Sequence, residues 1–200
     1  DNTQMIKMRT EKLGYHYQYS RNTLQLNQAG GGFTETALLS GVAATDWSWS
    51  TLFGDYDQDG EQDIFVSNGI PKRPNDLDYV KYYSNDQIKS KISTTKLLDK
   101  EALKRMPNGN VTNYVFQGAA DLQFKNRSSD WIENDSIISN GSGYADIDND
   151  GDLDVITNNT NAIASLYINK TDTKSNYLKL KLRFTGKNTF GIGAKVISYS

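Results

Sequence analysis

The chain repeats itself. A nine-residue acidic loop, D-Y-D-Q-D-G-E-Q-D, runs from Asp55 to Asp63, and D-I-D-N-D-G-D-L-D runs from Asp146 to Asp154. The two loops begin 91 positions apart (146 − 55). The same offset matches Asn22 with Asn113, Leu24 with Val115, Phe33 with Phe124, Phe53 with Tyr144, Ile64 with Val155 and Asn68 with Asn159. No gap is needed from residue 22 to residue 68. A register held this long marks a repeated supersecondary unit, and it restricts the chain to folds that set one such unit beside the next.

Each unit reads as short strands with polar turns between them. Thr23 to Asn27 and Gly32 to Thr36 form a hairpin around Gly30 and Gly31, matched by Tyr114 to Gln117 and Leu122 to Asn126. A strand then enters each acidic loop (Ser50 to Gly54; Gly141 to Ala145), and Ile64-Phe65-Val66 or Val155-Ile156-Thr157 leaves it. Four short strands make one blade-like sheet, and such sheets stack around an axis. The fold expected is mainly β: β-propeller blades, each a four-stranded antiparallel sheet, in a partial propeller with a helical insert. A complete propeller takes about four to eight blades, so the chain reads as a piece of a larger protein.

The loops carry the chemistry. In each copy Asp stands at positions 1, 3, 5 and 9, with Gly at position 6 where the chain must turn. Four carboxylates so close repel one another unless a cation sits among them, and hard oxygen donors on a flexible loop suit Ca²⁺. The expected ligands are the carboxylates of Asp55, Asp57, Asp59 and Asp63 with the Glu61 carbonyl, and those of Asp146, Asp148, Asp150 and Asp154 with the Asp152 carbonyl. The loop is not an EF-hand, because position 12 is Val66 or Thr157 rather than a bidentate Glu. A single loop of this kind also reads as a solvated acidic turn; two copies at one spacing weigh against that.

These loops and hairpins resemble FG-GAP/VCBS repeats, the blades of integrin-type β-propellers. In that family the D-x-D-x-D-G-x-x-D loop binds calcium. Asn176-Tyr177-Leu178-Lys179-Leu180-Lys181-Leu182, followed by Gly191 to Val196, resembles the start of an ASPIC/UnbV domain, which commonly follows such repeats. T-D-W-S-W-S (45–50) and N-G-I-P-K-R-P-N-D-L-D-Y (68–79) are similar to a Bacteroidetes-type branch of these surface proteins. The organisation implied is a helical lead-in (1–20), a first blade (21–69), a helical insert (70–112), a second blade (113–169) and the start of an ASPIC/UnbV-like β segment (170–200). The family motif implies no catalytic residue.

Composition narrows the function classes. Gly41 to Pro71 holds six acids and no Lys or Arg, and Ser128 to Asn169 holds eight acids and no base. The insert is net basic, yet no basic patch interleaved with aromatics stands out, so nucleic acid is not an expected partner. The absence of Cys excludes disulfides, thiolate metal sites and a Cys nucleophile, and the single His16 is too few for a zinc site. No apolar run reaches the roughly 20 residues that span a bilayer. Calcium loops of this kind suit an extracellular, cell-surface or periplasmic place, where calcium is plentiful.

Two other stretches invite attention. In the insert, Asp76 to Lys91 carries Leu77, Val80 and Ile88 at helical spacing, and Thr95 to Met106 carries Leu97, Leu98, Ala102 and Leu103. The insert reads as a cap over the sheets or as a binding surface. Trp47 and Trp49 flank Ser48, so strand alternation sends both to one face. Buried, they are packing aromatics, which is the reading favoured; exposed, they stack on a sugar. Tyr79, Tyr82 and Tyr83 with Lys72 and Arg73 form either a recognition patch or helix packing with a solvated rim. Three functions compete: a calcium-stabilised module binding glycan or protein on a bacterial surface, within a larger outer-membrane assembly; a scaffold or accessory domain of a polysaccharide-degrading enzyme; and a purely structural scaffold inside a larger assembly.

Overall fold

The computed structural model describes residues 2–16, 19–85, 96–133, 136–171 and 180–197. Nine strands form three antiparallel sheets among these residues. The first is the hairpin β1 (Gln25–Asn27) with β2 (Phe33–Glu35). The second has the order β3 (Ser48–Gly54), β4 (Asp63–Asn68), β5 (Tyr114–Gln117) and β6 (Lys125–Asn126). The third holds β7 (Ser139–Ala145), β8 (Asp154–Asn159) and β9 (Ser165–Tyr167).

The fold is mainly β as expected, but the unit of sequence is not the unit of sheet. β1 to β4 all come from the first repeat, and they split between two sheets. The second sheet instead joins the loop hairpin of the first repeat, β3 and β4, to the opening hairpin of the second, β5 and β6. Short strands need a partner on each edge to satisfy their backbone groups, and β4 finds β5 across the whole insert. The three sheets are not closed into a ring.

Alternation along the central strands builds a core on each side. Ile64 and Val66 of β4 and Phe116 of β5 pack with Ala37 and Val42, which follow the first hairpin. Phe65 and Val115, pointing the other way, pack with Tyr56 and Val155 against the third sheet. β4 is buried along its whole length. A period of 2 thus makes the central sheet the middle layer of three. Burying a side chain the size of Phe65 stabilises by about 2–3 kcal/mol.

A buried polar network ties the edges together. Asn68 donates its backbone N–H to the Asn113 side chain at 2.9 Å, and Asn113 donates to Ser139 at 3.1 Å. The repeat recurs within the network: Ser48 donates to Asn68 at 2.9 Å, and Ser139 to Asn159 at 2.8 Å, each pair displaced by 91 positions. Every donor so buried needs an acceptor, which is why these short polar side chains stand where alternation would place apolar ones.

The helices are peripheral. α1 (Asn2–Lys7) continues as a π turn (Met8–Lys12) without a buried residue in the turn. In the insert, α2 (Leu77–Ser84) begins at Asp76, whose carboxylate accepts the Tyr79 N–H at 2.9 Å and so caps the helix. α3 (Lys96–Arg105) follows, and α4 (Ser128–Trp131) is a single turn after β6. Ile88 and Thr95 lie outside the described residues. No residue of α2 is buried, so this helix does not cap the sheets. Its contact is with α3: the Arg105 guanidinium sits 4.7 Å from the centre of the Tyr82 ring. The insert leaves and rejoins the sheets through a pinched base, where Ile70 donates to Gly109 at 3.1 Å and Arg73 to Pro107 at 2.9 Å. Of the expected β segment at the end of the chain, 180–197 forms irregular backbone with short turns rather than strands, and 172–179 lies outside the described residues. No described helix is long and apolar enough to cross a membrane.

Candidate metal centres in the acidic loops

Both acidic loops join paired strands, and they do so with the same backbone. Gly54 pairs with Asp63 and Ala145 with Asp154, and each hairpin slips by one residue at the same place, between Ser48 and Ser50 or between Ser139 and Gly141. Position 4 is left-handed in each loop, with φ of 57° at Gln58 and 66° at Asn149. Position 6 is left-handed too, at 92° for Gly60 and 102° for Gly151. A side chain at position 6 would be strained there, which is the physical reason for Gly.

Position 9 is a structural anchor in both copies. Asp63 accepts the Tyr56 N–H at 2.8 Å through one oxygen and the Gly118 N–H at 2.9 Å through the other. Asp154 accepts from Ile147 at 2.8 Å and Asn169 at 2.9 Å. Each carboxylate therefore ties the start of its loop to the segment that follows the neighbouring strand. Gly118 has no Cβ because one there would overlap the Gln62 carbonyl. Each oxygen of such a carboxylate keeps a second lone pair for a cation.

The remaining acids converge. Oxygens of Asp55, Asp57 and Asp63 lie within 4.8 Å of one another, as do those of Asp146, Asp148 and Asp150. Each trio can hold a metal ion. Asp59 accepts the Glu61 N–H at 2.8 Å, and Asp150 accepts the Asp152 N–H at 3.2 Å, so position 5 turns the loop as well. Asp55 accepts from Asp59 and Gly60, each at 3.0 Å. Glu61 and Asp152 were expected to offer their carbonyls; Asp152 also buries its side chain.

The donor set fits a hard cation. Oδ1 of Asp57 and Oδ1 of Asp152 are buried with no hydrogen-bond partner. A buried carboxylate oxygen without a donor is costly unless a cation meets it. Burial raises the carboxyl pKa of Asp57 above its usual value, and pushes Asp63 and Asp152 up to about 6. Desolvation within the loop, with the Asp150 carboxylate beside it, raises Asp148 as well. A divalent ion bound among these carboxylates would offset that cost.

Sequence reasoning missed the neighbours that hold the first loop. Gln117 of β5 donates to Asp57 at 2.6 Å and is itself held by Arg127 at 2.9 Å. Asn169 and Thr171, beyond β9, donate to the Tyr56 carbonyl at 2.6 Å and 3.0 Å. Gln58 donates to the Gly151 carbonyl at 3.2 Å, which links one loop to the other. None of these carries a local signal, because each depends on which sheets are neighbours. A cavity of about 420 Å³ opens beside the first loop, lined among others by Tyr56, Phe65, Trp131 and Tyr167 and by Asp57 and Asp130.

The two tryptophans are not buried. Trp47 and Trp49 are both exposed, and the Trp49 indole donates to the Gly69 carbonyl at 2.6 Å. The expectation of packing aromatics is corrected here: Trp47 precedes β3 and Trp49 lies at the irregularity in its register, so alternation does not set both on one covered face. The basic residues of the proposed tyrosine patch are also committed elsewhere. Lys72 donates to Met106 and Asn108, and Arg73 makes a two-pronged contact with Asp46 at 2.8 and 2.9 Å. Both close the base of the insert. Comparison with protein-family models, with curated proteins and with solved structures finds no match to the chain.

Proposed function

We propose that the chain is a calcium-binding repeat module, of the FG-GAP/VCBS type of β-propeller blade, that recognises a glycan or a protein at a bacterial cell surface. The observation that carries the metal part is the recurrence of one loop conformation with one converging trio of carboxylates at each of two places. Solvated acidic turns have no reason to share left-handed residues and a buried position-9 anchor. Calcium is preferred over magnesium because hard oxygen donors on a flexible loop suit its adaptable shell better than magnesium's tight octahedron. An extracellular or periplasmic place follows from the modest affinity such loops need there.

Recognition is assigned to the surface around Trp47 and Trp49, where two exposed indoles stand beside the base of the insert. Exposed aromatic faces with a polar rim suit a sugar ring or a peptide. The alternative, part of a polysaccharide-degrading enzyme, needs two carboxylates free to act on a glycosidic bond. Of the two carboxylates that line the cavity, Asp57 belongs to the metal loop and Asp130 contacts Arg127 at 3.4 Å. That supports binding over hydrolysis.

Glycan and protein arrays probed with calcium and with a chelator test the proposal. Binding is expected in calcium, lost on chelation, and weakened about tenfold or more (~1.4 kcal/mol) by Trp47→Ala with Trp49→Ala. Binding that ignores both the chelator and the substitutions contradicts it.

A further inference from the structure

The two acidic loops touch. At position 4 of the first, Gln58 donates to the carbonyl of Gly151, position 6 of the second, at 3.2 Å. Both residues are left-handed, so the contact joins the turn of one loop to the turn of the other. A second path runs between the two position-9 anchors. Asp63 accepts the Tyr56 N–H at 2.8 Å, the Tyr56 carbonyl accepts from the Asn169 side chain at 2.6 Å, and the Asn169 N–H donates to Asp154 at 2.9 Å. Leu153 of the second loop also lies against Gly54 at the mouth of the first, where a Cβ would come within 3.1 Å of its side chain.

The second path departs from the repeat. Gly118 stands after β5 as Asn169 stands after β9, and each donates its N–H to a position-9 carboxylate. Gly118 has no side chain, and a Cβ there would meet the Gln62 carbonyl. Asn169 has one, and it reaches across to the other loop. The anchor itself needs only the backbone N–H, so the amide adds a link that the second loop does not require for its own turn.

We propose that Gln58 and Asn169 couple the two loops, so that cation uptake at one raises the affinity of the other. The coupling rests on the reading of both loops as metal centres. Without a cation the carboxylates of a loop repel one another, and binding must fix them against that repulsion. Fixing the first loop also fixes Gln58 and the Tyr56 carbonyl, which are points of attachment for the second. The second ion then meets a loop that is already partly ordered, and less conformational entropy remains to be lost. Linkage makes the effect mutual, whichever loop fills first. Repulsion between two bound ions acts the other way, but in about 0.15 M salt it is largely screened beyond about 8 Å.

Ca²⁺ titrations of the chelator-treated 200-residue chain at that salt concentration test the coupling. The unaltered chain gives two stepwise association constants, and Asp57→Ala and Asp148→Ala, each with one loop left, give one constant apiece. The product of the stepwise constants is expected to exceed the product of the single-site constants at least about fivefold. Repeated in a background of Gln58→Ala with Asn169→Ala, the comparison should give equal products while two ions still bind. Should that pair of substitutions fail to fold, Gln58→Ala alone is expected to lower the excess. An excess unchanged in these backgrounds overturns the proposal, because residues that only stabilise the loops would weaken each constant and leave the ratio alone. Two ions bound with equal products in the unaltered chain overturn the coupling and leave the metal reading standing. No uptake by any of the chains overturns both.

Discussion

Asp57 and Asp148 hold the same place in the two loops, and only the first is shown held from outside its own loop. Gln117 reaches Asp57 from β5, whereas Asp148 accepts the Asp150 N–H within its own turn. The trios differ accordingly. The first includes the buried Asp63, and the second is drawn from Asp146, Asp148 and Asp150 at the surface. The same difference recurs in the apolar residues, with Phe65 buried and Ile156 open. Local sequence sets the backbone of each loop, because the turn at Gly and the position-9 anchor lie within a few residues of one another. Neighbouring sheets set the burial, and with it the electrostatics.

The apolar half of that comparison gives the largest expected effect. Phe65→Ala should destabilise by about 3–5 kcal/mol, and Ile156→Ala by less than about 1 kcal/mol. Denaturant melts of the two variants check this; equal losses would mean that the two copies are equally enclosed. The anchors should behave alike in both copies. Asp63→Ala and Asp154→Ala each strand two backbone N–H groups, at a cost of about 2–5 kcal/mol, and a large loss in only one copy would break the equivalence of the loops.

The pH dependence is smaller and sharper. Burial raises Asp63 and Asp152 from 3.8 in the unfolded chain to about 6 in the fold. A carboxyl raised on folding opposes the fold above its folded pKa, and that opposition fades as pH falls through it. Metal-free protein is therefore expected to melt higher at pH 5 than at pH 7.5. Calcium should reverse the order, because bound carboxylates must stay ionised. A chelated protein that melts higher at pH 7.5 contradicts the shifts.

Much of this was legible in the sequence. The strands, the loops and the offset are local signals, and Ile64, Phe65 and Val66 leave the first loop as a strand should. The pairing of β4 with β5 was not legible, since alternation names the faces of a strand but not its neighbour across a 45-residue separation (113 − 68). Trp47 and Trp49 failed for another reason: one precedes β3 and the other sits where its register slips, so the alternation that the sequence suggests is broken there. At the end of the chain, Leu180, Leu182 and Phe184 alternate as a strand does, yet they lie in irregular backbone and are exposed. Alternation without a partner strand leaves backbone groups to water and forms no sheet.

Calorimetric titration of the chelator-treated chain with Ca²⁺ tests the central claim most directly. Two loops of one conformation should take up two ions per chain, and Asp57→Ala and Asp148→Ala should each leave one. Each site also contributes about 2.7 kcal/mol of stability at a hundredfold excess of calcium over its Kd. No uptake by the folded protein, or uptake unchanged in both variants, would contradict the claim that the acidic loops are metal centres.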